Sequence, residues 1–471
     1  MDNIKQSNVL LVVLASFLCC SRAFAQTAPP SPRYPLPTFE EDWRRLASPD
    51  ESDDAWDPVK FVPLSASDAT YMSLGGEARA TYEKFWNQDW GLATPSPNGY
   101  YLQRILWHAD LHAGPRVRVW TEFDSSLEGG RAGGPRAVLD KNSIDLHQGF
   151  VEATLYSAGS TSSIVRAGRQ EIAIGSGRMY SLREGPNVPL SFDGVRLTSR
   201  FNSWRFDAWA ARPVVNRNGA FDDGSHRQFE VWGAFASRLP TPASRNTGVD
   251  AYYLGIDRLG ARFDQGVGDE TRHTVGGRVW RLGEWGYDAE AMFQFGRFGT
   301  GDIRAWRAVA NGSRILSNVA WRPRIDAVID IASGDKDHAS PDLQTFNAMF
   351  QSGTYSGRAQ LLGPNNSIRF EPTINITPTP TTAIAAGWGF YWRQSENDGL
   401  YGIPGQLVVP SNGVPGRYEG SRPTVQFDWQ LSRHLSAHVN YIFVFNGTFE
   451  ETSVHGTSTM SFVSPWVTYR F

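Results

Sequence analysis

Asn366–Ile376, NSIRFEPTINI, settles the backbone of its region by alternation alone: Ile368, Phe370, Ile374 and Ile376 fall on one side, Arg369, Glu371, Thr373 and Asn375 on the other. Successive side chains of an extended strand point to opposite faces, so period two marks a strand whose faces meet different media. Residues 324–332, RIDAVIDIA, repeat the pattern, with Ile325, Ala327, Ile329 and Ile331 set against Arg324, Asp326 and Asp330. In RVRVWTEFD, residues 116–124, Val117, Val119 and Phe123 oppose Arg116, Arg118, Glu122 and Asp124. One face is oily and the other charged, from Tyr71 to Phe471.

A soluble sandwich turning its oily faces inward would alternate in the same way. The connections separate the two readings. About eighteen candidate strands are countable, an even number within the range of outer-membrane barrels. With a periplasmic N-terminus, the odd-numbered connections are mostly long: Asn87–Gly99, Leu127–Ser143, Gly175–Leu190, Val215–His226, Ser333–Asn365, Gln394–Gly420 and Asn446–Thr457. The even-numbered ones are mostly short, as at Ala113–Pro115, Asn202–Ser203, Gly283–Glu284 and Ser432–Arg433. Long loops outside and short turns inside are the pattern of an all-β transmembrane antiparallel β-barrel. The final strand, MSFVSPWVTYRF, puts Val463, Val467, Tyr469 and Phe471 on one face, and Trp204, Trp285, Tyr391 and Trp392 sit near strand ends, where interfacial aromatic girdles form.

The ends of the chain and its composition agree. Lys5, the apolar run Val9–Phe17 and Ala23-Phe24-Ala25 before Gln26 have the form of a secretory leader, so residues 1–25 are expected to be removed. Residues 26–70 read as a proline-rich periplasmic extension and 71–471 as the barrel, with no central linker. Both cysteines, Cys19 and Cys20, fall in the leader, which leaves neither a disulfide nor a cysteine-ligated metal. No later segment approaches the roughly 20 unbroken apolar residues of a membrane helix. With 46 Gly, 17 Trp, 16 Tyr and 27 Phe in 471 residues and a formal charge of −3, the composition is that of a strand-rich wall and not of a nucleic-acid binder.

In hydrocarbon an open sheet edge leaves backbone groups unpaired at several kcal/mol each, so the sheet must close. The charged face then lines the lumen, because an arginine turned to lipid at mid-depth costs roughly 2–4 kcal/mol. Arg79, Arg104, Arg118, Arg196, Arg205, Arg272, Arg278 and Arg369 are expected to point into water. The same face carries Glu77, Glu122, Glu152, Asp207 and Glu371.

The stretch Gly168–Leu197, GRQEIAIGSGRMYSLREGPNVPLSFDGVRL, resembles the signature of the alginate export family of outer-membrane proteins, through Gly168-Arg169-Gln170, Gly177-Arg178, Arg183-Glu184-Gly185-Pro186-Asn187 and Phe192-Asp193-Gly194. LGGEARATYEKF (Leu74–Phe85) and YLQRILWHADLHAG (Tyr101–Gly114) are similar to it as well. The resemblance implies an eighteen-stranded barrel that passes an anionic polysaccharide outward through an arginine-rich constriction, with room for periplasmic export components as partners. The physics is compatible. A narrow low-dielectric passage lined by arginine concentrates ionised carboxylates, arginine pairs with them bidentately, and interspersed Glu and Asp keep the grip weak enough for release. Arg169 and Glu171 share a face near the outer end of a strand, and the glycines of Gly175–Leu190 let that loop fold back into the lumen. Arg178, Arg183 and Glu184 would then narrow the pore or, on a plainer account, brace its wall through Arg–Glu pairs.

One departure bears on the substrate. In that family a long periplasmic turn near the C-terminus occludes the pore, whereas Ser432–Arg433 reads as a tight turn; the generous periplasmic connections are Pro240–Gly248 and Asn311–Arg322. The plug is absent or moved, which makes uptake of other small anionic solutes the alternative to the leading expectation, polyuronate export. A barrel hydrolase is the rival from another class, with Ser436, His438 and Asn440 alternating on one face. Side chains two apart on a strand stand roughly 6.5–7 Å apart at their base, beyond hydrogen-bond reach unless both lean together. His108 and His112 are likewise too far apart to clamp one metal. No metal or cofactor is expected, and the partners expected are outer-membrane lipid and an anionic saccharide or other small anion.

Overall fold

A computed structural model describes residues 34–91, 95–353, 357–403, 405–453 and 459–471; the expected leader, Met1–Ala25, and residues 26–33 of the extension lie outside these. Eighteen long strands follow one another: β1 Thr70–Trp86, β2 Asn98–Ala113, β3 Val117–Gly129, β4 Asn142–Ala158, β5 Thr161–Gln170, β6 Phe192–Phe201, β7 Trp204–Val215, β8 Phe229–Arg238 and β9 Thr247–Phe263. The second half runs β10 Gly266–Arg281, β11 Trp285–Phe298, β12 Gly301–Ile315, β13 Arg324–Ala332, β14 Ser367–Thr379, β15 Thr382–Arg393, β16 Tyr418–Gln430, β17 Leu435–Asn446 and β18 Met460–Arg470. Each pairs antiparallel with the next, and β1 closes on β18 in the register Glu77↔Arg470 to Trp86↔Ser461, so no wall strand is left with a free edge. The barrel spans the outer membrane. Its short connections (114–116, 159–160, 202–203, 282–284, 380–381, 431–434) gather at the periplasmic end, and the long loops 171–191, 333–366 and 394–417 at the extracellular end. Only 264–265 and 299–300 are tight turns at the outer end.

The faces obey the alternation. Outward side chains stand open to the bilayer, Tyr101 and Val267 at 68% exposure and Trp285 at 65%, while their neighbours point in. Two expectations need correction. The generous connection expected at Asn311–Arg322 starts later, because β12 continues to Ile315, and covers 316–323, matching 239–246 in length. Tyr391 is not a girdle residue: it faces the lumen, 4% exposed, and its hydroxyl donates to Glu371 Oε2 at 3.2 Å.

The glycines of the Gly168–Leu197 stretch have a steric reason. Gly168 and Gly194 are cross-strand partners on β5 and β6. A Cβ would lie 2.3 Å from Gly149 O at the first, where φ is +129°, and 2.3 Å from Ala210 O at the second. Such an approach tolerates only a hydrogen.

A larger correction concerns the lumen, which is not polar throughout. Loops 171–191 and 333–366 fold inward and pair with each other, Ser181 N–H donating to Phe350 O at 3.0 Å and Phe350 N–H to Met179 O at 2.8 Å. Their Ile172, Met179, Tyr180, Phe346 and Phe350 pack on inward-facing Phe192, Trp209, Leu254 and Ile256 of the wall, a hydrophobic core inside the barrel. A second one joins Leu361 and Leu362 to Phe85, Tyr100, Ile442 and Phe462. Each large side chain so buried contributes about 1.5–3 kcal/mol, which holds the loops in place. Alternation reports which residues face inward, not whether water or another loop meets them there.

Candidate functional site

The loop 171–191 crosses the lumen as a strut between opposite walls. At one end Glu184 Oε2 accepts from Arg79 Nη2 on β1 and Arg104 Nη2 on β2, both at 2.9 Å, and Arg79 Nη1 also donates to Glu184 O at 2.9 Å. Behind them Glu77 accepts from Arg104 at 2.7 Å and pairs with Arg470 at 2.7 Å, tying the strut to the seam that closes the barrel. At the other end Arg178 reaches β11, donating to Asp288 at 2.8 Å and to Glu290 at 2.6 Å. Asn187 fastens the loop's return with its Nδ2 among three carbonyls, Gln103 O at 3.1 Å, Leu127 O at 3.2 Å and Asp140 O at 2.9 Å. Arg178 and Glu184 thus make the ion pairs of the bracing account, within a loop that also crosses the lumen as the narrowing account requires.

Most arginines expected to point into water do face inward, but onto carboxylates. Arg118 meets Asp110 at 2.7 Å and Glu152 at 3.3 Å, and Arg196 and Arg205 share Asp207 at 2.8 and 2.7 Å. Arg169 pairs with Asp193 at 2.8 Å, Arg278 with Asp250 at 3.0 Å, and Arg369 with Glu371 at 3.7 Å. Arg104 and Arg272 are wholly buried, a correction to the expectation of water contact, because infolded loops cover them; Arg272 donates to Glu270 and to Thr345 O of loop 333–366. Glu122, also sealed, accepts from Gln148 and from Thr38 of the N-terminal segment, both at 2.9 Å, and Glu171 contacts His147 at 3.1 Å.

Sequence reasoning singled out Arg183 and missed Arg358 and Arg422, and these three guanidiniums have no carboxylate within 4.0 Å among the described residues. Arg183 sits at φ +54°, and burial alone pushes its pKa down to about 10. Burial also pushes Arg358 down to about 10, so both stay charged at neutral pH. Arg358 lies 3.8 Å from the Trp466 ring centroid and donates to Ser464 Oγ at 3.1 Å; Arg422 lies 3.9 Å from the Tyr391 centroid, with Nη1 unpartnered. Aromatic faces attract guanidinium cations while leaving the donor fork free for an anion. Arg422 was legible as an inward position of β16, whereas Arg358 lies in a loop with no periodicity to place it.

Arg358 and Arg422 line one chamber of the periplasmic half, about 970 Å³, which runs from the turn at Leu282–Gly283 up to Leu361 and includes Arg278, Asp288, Arg369 and Glu371. A second, about 1090 Å³, is bordered by Arg118, Glu152, Arg166, Arg196 and Arg205 and by residues 36–44 of the N-terminal segment. That segment enters the barrel. Phe39 packs on Trp120 and Phe150, its carbonyl accepts from Arg118 Nη2 at 2.8 Å, and the buried Lys60 pairs with Glu41 at 3.0 Å. The lumen is thus occupied at two levels, by this segment below and by the infolded loops above. Deleting residues 34–60 is expected to raise single-channel conductance in planar bilayers at least twofold; unchanged conductance would show that current bypasses the segment.

The hydrolase rival is better assembled than strand spacing allows. Both side chains lean together, His438 Nε2 lying 2.9 Å from Ser436 Oγ while Nδ1 lies 2.6 Å from Asp428 Oδ1. The strand's own backbone supplies such a trio with no oxyanion hole. The β17 backbone from Ser436 to Asn440 is laddered to β16 on one side and β18 on the other, so its N–H groups are consumed. Asn440 Nδ2 is directed to Gln426 Oε1 at 3.5 Å. His108 faces Glu41 and Glu122, and His112 faces Asp110, so the two histidines serve separate carboxylates.

A family model described as alginate export matches residues 70–464. No curated protein sequence matches. Among solved structures the chain is similar to a BenF-like porin from Pseudomonas fluorescens Pf-5, at 10% identity over 85% of this chain and 98% of that one, TM-score 0.58. It is similar to Pseudomonas aeruginosa OpdK with vanillate, at 10% identity over 84% and 98%, TM-score 0.54. Pseudomonas aeruginosa OccK2 (OpdF) in complex with glucuronate is 12% identical over 88% and 98%, TM-score 0.54. At such identities these likenesses concern the fold.

Proposed function

This chain belongs to the alginate export family, whose members are outer-membrane channels, and from that membership we propose that it passes small carboxylate-bearing solutes, of which a single uronate is the type, through the chamber holding Arg358 and Arg422. The observation that carries this reading is that Arg358 and Arg422 line the chamber with no carboxylate within 4.0 Å among the described residues, while Arg278, Arg324 and Arg369 of the same chamber each have one. A chamber of about 970 Å³ lies within the range of small-molecule sites. Trp466 and Tyr391 carry the two guanidiniums on their ring faces and so hold them in place at the chamber wall. Two structural neighbours are described with carboxylates, vanillate in OpdK and glucuronate in OccK2. The ion pairs elsewhere keep the field moderate, so a bound anion can leave.

Export of an alginate-like polyuronate is the second reading, favoured by the family description itself. It requires the strut and the N-terminal segment to move aside, since a polymer cannot thread a lumen filled at both levels. Planar-bilayer recordings test the pair. Anion-preferring current blocked by glucuronate, with little added block by longer oligouronates, is the expected result. Cation preference indifferent to uronates would overturn the substrate assignment, and block that strengthens steeply with oligomer length would favour the polymer.

A further inference from the structure

We propose that one side of the barrel, strands β8–β12 at the periplasmic end, is a docking surface for the phosphate headgroups of anionic phospholipid in the facing leaflet. The lipid-facing rows of three strands end there on arginine. Arg238 closes the outward row that carries Trp232 on β8, Arg281 that of Val279 on β10, and Arg314 that of Trp306 on β12. On the other strands, among the described residues, the outward rows end at this face on uncharged side chains, as at Val117, Phe201, Ile325, Trp429 and Tyr469. The basic ends are therefore gathered on one arc of the wall and not spread around the rim.

The depth of these arginines is set by what lies across the ladder. Trp204 is the cross-strand partner of Arg238, Tyr287 of Arg281 and Trp285 of Arg314, and all three rings stand exposed. Tryptophan and tyrosine collect where hydrocarbon gives way to headgroups, so each guanidinium is held at the level of the lipid phosphates. The Arg314 guanidinium lies 4.4 Å from the Trp285 ring centroid. A ring face steadies the cation while leaving donor N–H groups for phosphate oxygens.

The protein neutralises little of this charge. Among the described residues Arg238 and Arg281 have no carboxylate within 4.0 Å, and Arg314 has one contact, with Glu284 at 3.5 Å. The turns 239–246, 282–284 and 316–323 add exposed Arg245 and Arg322, and Glu284 is their one acidic residue. With two strand spacings between successive arginines, the three stand roughly 10 Å apart, about one screening length, so they repel one another little and face a row of headgroups. Lipid is the occupant that fits, because two residues higher the same rows meet hydrocarbon at Ala236, Val279 and Gly312, where no solute of the lumen reaches. An arginine at the interface is tolerated by the bilayer, and an anionic leaflet attracts it.

The full chain, purified in detergent and relipidated with equal amounts of dioleoyl phosphatidylglycerol and dioleoyl phosphatidylethanolamine, is examined by native mass spectrometry for the lipid it retains. Preferential retention of phosphatidylglycerol is expected. The double substitution Arg238→Gln, Arg314→Gln should lower that preference by roughly tenfold or more, since each arginine near an anionic surface contributes about a factor of five. Arg281 is left in place because it also borders the first chamber. Arg262→Gln with Arg297→Gln, on outward rows at the outer ends of β9 and β11, should keep the preference. Equal retention of the two lipids by the parent overturns the proposal whatever the variants do. So does an unchanged preference in the folded double variant, with folding read from heat-modifiable mobility, or an equal loss in the outer-end pair. Channel recordings play no part, so the outcome is independent of the transported solute.

Discussion

Arg104→Ala should be the most damaging single substitution in the lumen, costing about 3–5 kcal/mol of stability, the range for removing one partner of a buried ion pair. Arg104 is fully buried and joins Glu77 of β1 to Glu184 of the strut, at 2.7 and 2.9 Å. Without it the sealed carboxylate of Glu77 and the partly exposed one of Glu184 face each other, with Arg79 the sole guanidinium left touching both. Repulsion is relieved by releasing the strut, so conductance should rise together with the loss of stability. Heat-modifiable mobility on gels gives the first quantity and bilayer recording the second. Arg104→Lys should recover little, because an ammonium cannot reproduce the fork that spans two carboxylates. A variant as stable as the parent with unchanged conductance would mean that the apolar core around Tyr180 and Phe350 alone holds the loop.

The double substitution Arg358→Ala, Arg422→Ala should remove most of the channel's preference for carboxylates. Hydrogen bonds to charged groups contribute roughly 1.5–3 kcal/mol each, and 1.4 kcal/mol is a factor of ten, so the concentration of glucuronate needed for half-block should rise by about 100-fold. Neither guanidinium holds a carboxylate of the protein, so the fold should be spared; the loss at Arg358 is one bond to Ser464 and the contact with Trp466. Raising salt to 1 M should weaken the parent's block while changing the variant little, since screening then reaches to about 3 Å. Equal block in both proteins would place the anion elsewhere, with the second chamber, bordered by Arg118, Arg166 and Arg196, as the alternative.

The barrel was readable residue by residue. Ile325, Ile329, Phe370 and Ile374 face lipid as their alternation with Arg324, Asp330, Arg369 and Glu371 requires. The strut was readable as a loop able to fold inward from the glycines and charges of residues 168–187, but its far contacts were not. Arg178 finds Asp288 and Glu290 more than a hundred residues away, a pairing with no local trace. Ser436 and His438 show the opposite failure, for a base-to-base distance along a strand does not fix where two side-chain tips meet.

The sequence by itself determined the sheet, its two media and the end from which each loop springs, because period two and connection length are local properties answering to hydrocarbon and backbone hydrogen bonding. Only the tertiary structure decided which inward residues meet water, which arginines are paired with carboxylates and which are not. Those outcomes depend on strand register and on what folds into the lumen, and Arg104 beneath its strut and Arg422 above its open chamber have the same alternating pattern in the chain.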